Sequence, residues 1–437
     1  MKKRIIHFCL VTAGLIFLCS ADASAQKRAS TTVNSKFTTD DWLRRADSLK
    51  NSEPKKALLL ANKGLQLGFA ENNRLAIAQA YRYIGVLEFM TGDLKNAGSH
   101  FDSAYRIYND LGDQKGIAAS LNNAGVVYQE TGDYVNALKS FNQSVTIKLQ
   151  MGDTAGACSG MINIGTIYCY RGENKSAIAK FEQVFSIAVN VRDTAHLIDA
   201  GINLATVYIN QKRLEKALAL LNKTSVLAEN SGDSYSLAYC LNNIGTIHQQ
   251  LRNAPEAIRY FEMALELRSD MGDVAGMASS LNNLGKMMVE QGRFNQAVDC
   301  FYQALDYEFQ LDDKRAQAIT MNSIGELLLK KREYMSAKAY LLSGMSIARK
   351  LMLRQELKSL ASNLVLVYAA TGQADSAQVF MGVFDTIGDE PQHLPVAEVN
   401  ESDPEVNILL SAGVVEVFYG FLIVFIVLTL IFTKRRF

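Results

Sequence analysis

Every forty residues the chain returns to one position, which reads Tyr83, Asn123, Asn163, Asn203, Asn243, Asn283, Ser323 and Asn363. Asparagine is a mediocre helix former, because its side chain competes with the backbone for hydrogen bonds. Its repetition inside a helical pattern therefore calls for a reason. A carboxamide offers a donor and an acceptor together, so it can pair with both polar groups of a peptide unit without demanding a particular side chain. The neighbouring positions Asn122, Thr166, Thr206, Asn242, Thr246, Asn282 and Lys286 are polar and mostly uncharged, and form no basic clamp for a free carboxylate. Other chemistry is poorly represented. His100, His196, His248 and His393 stand isolated in the sequence, and no HExxH, P-loop, GxSxG or GxGxxG pattern occurs. Neither catalysis nor a cofactor nor a metal is expected.

The elements that must position these side chains are set out by a forty-residue period. Written in blocks of forty from Tyr81, the chain aligns with itself to Glu390 without a gap. The fifth column reads Gly85, Gly125, Gly165, Ala205, Gly245, Gly285, Gly325 and Val365, a minimal side chain at nearly every turn of the period. The seventeenth is alanine throughout, from Ala97 to Ala377, and one helical turn later come Phe101, Phe141, Phe181, Leu221, Phe261, Phe301, Leu341 and Met381. Each block thus encodes two amphipathic helices, one with a notch and one with a small-then-large pair that fills it, as ridge-into-groove packing requires. Gly92, Gly132, Gly172, Gly292 and Gly372 fall where a left-handed C-cap is expected between the helices. Asp113, Asp153, Asp193, Asp233, Asp273 and Asp313 are the expected N-caps of the helices that follow.

Composition agrees with a helical chain. Nearly half of the 437 residues are apolar, only five are proline and the net charge is +1. Lys and Arg are interspersed with Asp and Glu, so no basic face is available to displace counterions and nucleic acid is excluded as a partner. Of six cysteines, Cys9 and Cys19 belong to the leader described next. Cys158 and Cys169 would sit about three turns apart on one helix, ~16 Å, beyond disulfide reach. Buried free thiols are expected.

Both ends carry address signals. Lys2, Lys3 and Arg4 precede an apolar run from Ile5 to Leu18, and Ala23-Ser24-Ala25 supplies a small-x-small cleavage site, so residues 1–25 read as a signal peptide. A lipid at Cys19 is the competing reading, against which stand the bulky residues before that cysteine. At the other end, residues 408–433 are apolar enough to cross a bilayer despite Glu416. Lys434, Arg435 and Arg436 follow at once, which by the positive-inside rule puts the 434–437 tail in the cytoplasm. Residues 26–39 read as a flexible segment, and 388–407, with three of the five prolines, as a Pro-rich acidic linker. Glu416 fits a place near the outer headgroups, with a polar contact to a partner helix as the other reading.

The Gly, then Ala-x3-Phe pattern, often followed by alanine as at Ala104, Ala264 and Ala304, resembles the tetratricopeptide repeat signature. Segments such as LNNIGTIHQQLRNAPEAIRYFEMALELRSDMGD resemble the long-helix variant of kinesin light chain. HEAT and armadillo arrays share a period near forty but do not place Gly, Ala and Phe in these columns. The resemblance implies an all-α fold, a right-handed tetratricopeptide superhelix, or α-solenoid, of about nine helix-turn-helix repeats. The array spans 41–390, with repeats at about 41–80, 81–120, 121–160, 161–200, 201–240, 241–280, 281–320, 321–360 and 361–388. Block 41–80 keeps Ala57 in register but has Ala61 in place of phenylalanine, which marks a divergent cap where the lone Trp42 packs.

In such folds the first helix of each repeat lines a concave groove, and asparagine at this position grips the backbone of a bound peptide. The resemblance therefore implies Asn123, Asn163, Asn203, Asn243, Asn283 and Asn363 as peptide-binding residues. The competing reading is that each bonds to a neighbouring repeat and sets curvature. Signal peptide, repeats and one membrane helix in that order resemble the periplasmic sensor region of Bacteroidetes-type membrane histidine kinases, without the kinase. Two functions follow as expectations. One is a scaffold or sensor subunit in the bacterial inner membrane, single-pass, its array in the periplasm, binding a protein or peptide ligand and passing a signal to a separate partner. The other is an exported surface or envelope-assembly protein whose C-terminal helix is a processed sorting signal.

Overall fold

The computed structural model describes residues 37–351 and 353–386. The leader, the 388–407 segment, residues 408–433 and the basic tail lie outside them. Eighteen α-helices and no strand are present among the described residues, none of the helices being long and apolar enough to cross a membrane. The chain divides into two compact units, the first running to Leu251 and the second starting at Arg252.

The first unit holds α1 (Thr39–Leu49), α2 (Pro54–Ala70), α3 (Arg74–Met90), α4 (Leu94–Leu111), α5 (Gln114–Glu130), α6 (Tyr134–Gln150), α7 (Thr154–Tyr170), α8 (Asn174–Val191), α9 (Thr194–Asn210), α10 (Leu214–Ser231) and α11 (Ser234–Gln250). The second holds α12 (Ala254–Asp270), α13 (Val274–Glu290), α14 (Phe294–Gln310), α15 (Lys314–Lys330), α16 (Tyr334–Lys350), α17 (Arg354–Ala370) and α18 (Ala374–Thr386). Within each unit consecutive helices pack together, and α1 also touches α3, α3 α5, α7 α9, α9 α11, α13 α15 and α15 α17. This is an all-α solenoid of hairpins. The hairpins are offset from the forty-residue blocks, since α3 begins at Arg74, ahead of Tyr81. The period is the same, but a block boundary falls inside each first helix.

Local chemistry explains where the helices start and stop. Each of Asp113, Asp153, Asp193, Asp233, Asp273 and Asp313 accepts the backbone N–H three residues on, which satisfies one of the donors a helix start leaves open. Between the helices of a pair, Gly92, Gly132, Gly172, Gly292 and Gly372 take φ from 71° to 82°, the left-handed region open to glycine. Lys212, Arg252 and Arg332 adopt the same conformation in the equivalent turns. Such residues bear a steric cost there, of ~1 kcal/mol or more.

The notch and filler columns meet as the spacing predicts. A methyl group placed on Gly165 would lie 2.5 Å from Cε1 of Phe181, and one on Gly285 would lie 2.6 Å from Cε1 of Phe301. Gly85 with Phe101, and Gly125 with Phe141, repeat the contact. The alanines behind these rings, from Ala97 to Ala337, are fully buried. In the first unit a continuous core joins Phe101, Phe141 and Phe181; in the second another runs from Phe301 through Leu341 to Phe380. Burying each of these rings contributes ~1.5–3 kcal/mol. Trp42 sits half-buried in α1 against Phe37, with ring centroids 5.3 Å apart, and its Cβ closes on Gly64 of α2.

A second seam is built from ionisable residues. Two residues before the end of the second helix in three hairpins stand Lys148 and, one unit on, Arg268 and Glu308, each aimed at the helix that follows. Lys148 Nζ donates to the Gly156 carbonyl at 3.1 Å. Arg268, 2% exposed, donates from Nη1 to the Gly276 carbonyl at 2.9 Å and to Ser280 Oγ at 2.8 Å. Glu308, also 2% exposed, accepts on Oε1 from Asn282 Nδ2 at 2.9 Å and from Thr320 Oγ1 at 2.7 Å. Burial pulls the Lys148 ammonium below its ordinary range, Asp153 opposing the change.

Candidate peptide-binding face

The first helices stand side by side, and hydrogen bonds between them fix their rotation. In the first unit Ser159 of α7 meets Nε2 of His196 on α9 at 2.9 Å, while Nδ1 of the same ring meets Asp193 Oδ2 at 2.6 Å. In the second unit Asn322 of α15 donates to Ser359 Oγ of α17 at 3.0 Å. Each bond holds one first helix against the next within its own unit.

The six predicted asparagines lie in different environments, four in the first unit and two in the second. Asn123 and Asn163 are buried, each 6% exposed. Asn203 is half-buried and donates to the Asp199 carbonyl one turn back in its own helix, at 2.8 Å. Asn243 and Asn283 are half-buried in the first and second units respectively. Asn363, 8% exposed, donates to Asn322 Oδ1 at 2.9 Å and to Glu326 Oε1 at 3.1 Å, both on α15. At Asn363, then, the amide ties neighbouring first helices together. Asn282, beside Asn283, is likewise committed to Glu308 and Thr320.

Helix α5 differs from the others. Asn123 Nδ2, Asn122 Oδ1 and Gln129 Oε1 are all buried without a hydrogen-bond partner within the protein. An unmet buried donor or acceptor costs ~1–3 kcal/mol, and on this helix such groups are spread over two turns, from Asn122 to Gln129. Thr206, which is exposed, and the half-buried Thr166 and Thr246 extend the polar character along α7, α9 and α11.

Two histidines that look isolated in the sequence are paired in space. His100 Nδ1 lies 2.6 Å from Glu88 Oε2, and His196 links Ser159 to Asp193. Ser, His and Asp in that order have the connectivity of a nucleophilic relay, yet acyl transfer also needs N–H donors aimed at the developing oxyanion. Ser159 lies in mid-helix, where the neighbouring N–H groups are spent on the α7 ladder, and Asp193 is occupied capping α9. The trio acts as a tie between α7 and α9. Close by, burial pushes the Asp199 carboxyl up to about 6, with His196 opposing and Asp233 and Asp193 adding to the rise. The thiols are equally unreactive: Cys158, Cys169, Cys240 and Cys300 are free, and burial raises Cys158 and Cys169 to about 11 and Cys240 to about 12. Among the described residues no group of His, Cys, Asp and Glu could hold a metal ion.

Comparison with known proteins bears on the fold. The tetratricopeptide repeat family model matches residues 76–150, 196–270 and 241–308, and that of anaphase-promoting complex subunit 5 matches 124–207 and 286–377. No curated protein matches the chain. Among solved structures it is similar to a Rap protein complexed with competence and sporulation factor, at 14% identity and a TM-score of 0.55, over 80% of this chain and 97% of that one. Aspartyl phosphate phosphatase F from Bacillus subtilis gives 14% identity and 0.55, over 85% and 100% of the two chains. The quorum sensor NprR from B. thuringiensis, in its apo form, gives 14% and 0.54, over 80% and 97%. Likeness at this identity is likeness of fold. With the Gly, Ala and Phe columns seated as paired helices, and with the family model placed on three stretches of them, the chain carries tetratricopeptide repeats.

Proposed function

We propose that this protein is a binding scaffold whose first-helix face takes up an extended or helical peptide segment of a partner protein. The observation that carries the reading is α5, where Asn123 Nδ2, Asn122 Oδ1 and Gln129 Oε1 are buried without internal partners, whereas Asn203 and Asn363 of the same column as Asn123 are bonded. A peptide backbone supplies both complements at the spacing of one peptide unit. The polar, largely uncharged surroundings favour an internal segment over a free acidic terminus. Two structural neighbours lend support by their names, one being a complex with a signalling factor and the other a quorum sensor.

The address signals extend the proposal. Residues 1–25 export the chain, 408–433 hold it in the inner membrane, and the repeats stand in the periplasm as a scaffold or sensor subunit that signals through a separate partner. The test is a pull-down from crosslinked membranes, comparing the intact protein with a variant carrying Asn122→Ala, Asn123→Ala, Asn203→Ala and Asn243→Ala. Circular dichroism must first show the two equally folded. Loss of a specific envelope protein from the variant alone is expected; unchanged partners would sink the peptide-face reading. Mass spectrometry of the mature chain tests the address: a C-terminus cut back into 388–407 would replace the anchored scaffold by a processed, exported protein.

A further inference from the structure

On the opposite side of α5 from its asparagines, the second helices α4 and α6 leave a cavity of about 330 Å³. Phe101 and Tyr105 of α4 and Val127 and Tyr128 of α5 contribute to its lining, together with Ser120. Its origin is legible by comparing blocks. At the position of Ala124 the seven other blocks carry isoleucine or leucine, from Ile84 to Leu364. At the position of Gly98 five carry Leu138, Ile178, Leu218, Ile258 and Val298. Both truncations line this one cavity. The Ile and Leu counterparts of Ala124 are buried, Ile84, Ile164 and Ile244 at 1% each, whereas Ala124 itself is half-exposed. Space that the other repeats fill with their own side chains is here left to something else.

The cavity also contains a polar mismatch. The Ser120 hydroxyl, on a residue 1% exposed, has no hydrogen-bond partner within the protein. The equivalent Ser280 and Thr320 are each bonded to a side chain of the preceding helix. Aromatic and aliphatic side chains of α4 and α5 on one side, with Asp102, Asn136, Lys139, Ser140 and Gln143 on the other, suit a flat apolar body that carries a hydrogen-bonding group. A cavity of ~150 Å³ lined by apolar groups takes up benzene, and ligand pockets begin at ~300 Å³, so one substituted ring is the occupant that fits.

We propose that this cavity is a binding site for a small phenolic compound, its ring held between Phe101, Tyr105 and Val127 and its hydroxyl bonded to Ser120. The site is independent of the first-helix face. The probe is p-cresol, titrated calorimetrically into the full-length chain, with toluene as the comparison that lacks a hydrogen-bonding group. Ala124→Ile and Gly98→Leu each restore the residue type that other repeats carry. A methyl on Gly98 meets Val127 Cγ1 at an ordinary 3.6 Å, so the second variant should fold as the parent does. Each filling is expected to weaken p-cresol binding at least tenfold while circular dichroism is unchanged. Ser120→Ala should cost p-cresol several-fold and leave toluene unaffected. Absence of p-cresol binding to the parent chain, or binding that survives both fillings, overturns the site. Equal loss for toluene and p-cresol in Ser120→Ala overturns the role of the hydroxyl.

Discussion

Gly165→Ala puts the notch-and-filler packing to its hardest test, because the change adds a single methyl group. That methyl would stand 2.5 Å from Cε1 and 2.7 Å from Cζ of Phe181, a ring with 0% exposure. Ordinary contact begins near 3.4 Å, so ring or helix must retreat by ~0.9 Å in a core packed like an organic crystal. Overpacking of this kind costs ~1–3 kcal/mol, and alanine returns up to ~1 kcal/mol in helix propensity. A net loss of ~1–2 kcal/mol is expected. The chain itself suggests the remedy: in the block that holds Ala205 in the glycine column, the ring is replaced by Leu221, and both are fully buried. Gly165→Ala with Phe181→Leu should therefore be more stable than the sum of the two single changes by ~1 kcal/mol or more. Stability in a repeat array is close to a sum of local terms, so amide hydrogen exchange in α7 and α8 is the assay, read beside urea unfolding. Strict additivity of the two changes would refute the claim that these columns interlock.

Three further outcomes follow from the described geometry. Asp199 has its carboxyl raised to about 6 by burial, so the folded state holds the proton more tightly than the unfolded chain. That contribution is complete below ~4 and lost as pH rises through about 6, a swing of ~2–3 kcal/mol; Asp199→Asn should flatten the urea midpoint between pH 4 and 7.5 relative to the parent. Arg268→Ala strips donors from the Gly276 carbonyl and Ser280 and opens a hole, and should cost ~2–4 kcal/mol by urea unfolding, with Arg268→Met, which keeps the bulk, losing less. The thiols of Cys158 and Cys240, buried and raised to about 11 and about 12, should resist a thiol reagent at pH 8 until urea unfolds the chain.

What was readable in the sequence is what repeats at a fixed offset within one hairpin. Asp153 caps α7 through a bond to Gly156, three residues away, and Gly165 meets Phe181 sixteen residues on, so both contacts recur in most blocks and surface as columns. The frame was not readable from the period, since a repeat of forty has no marked beginning, and helix α3 starts before the block does. Contacts between neighbouring first helices span a whole period and vary from joint to joint. Asn363 bonds to Asn322 and Glu326, whereas Asn203 turns back on its own helix, although both stand in one column. Lys148, Arg268 and Glu308 would pass for solvated charges on the second helix. Only the helix that follows, which offers Gly156, Ser280 or Thr320, shows what holds them. His196 looked solitary because its partner Ser159 lies in the preceding hairpin.

Those buried charges also decide how such an array can change over time. Were every junction alike, a forty-residue module could be copied, dropped or moved, and each new joint would close as well as the old. Here the joints are keyed differently, one by an ammonium on a carbonyl, another by a guanidinium on a serine, a third by a carboxylate between asparagine and threonine. Excising residues 274–313 would remove Ser280 and Glu308 and leave Arg268 to face Thr320, a lock cut for a different key. Each module is therefore addressed to its own neighbours, and the lineage is free to alter its surfaces residue by residue while the order of its modules stays frozen.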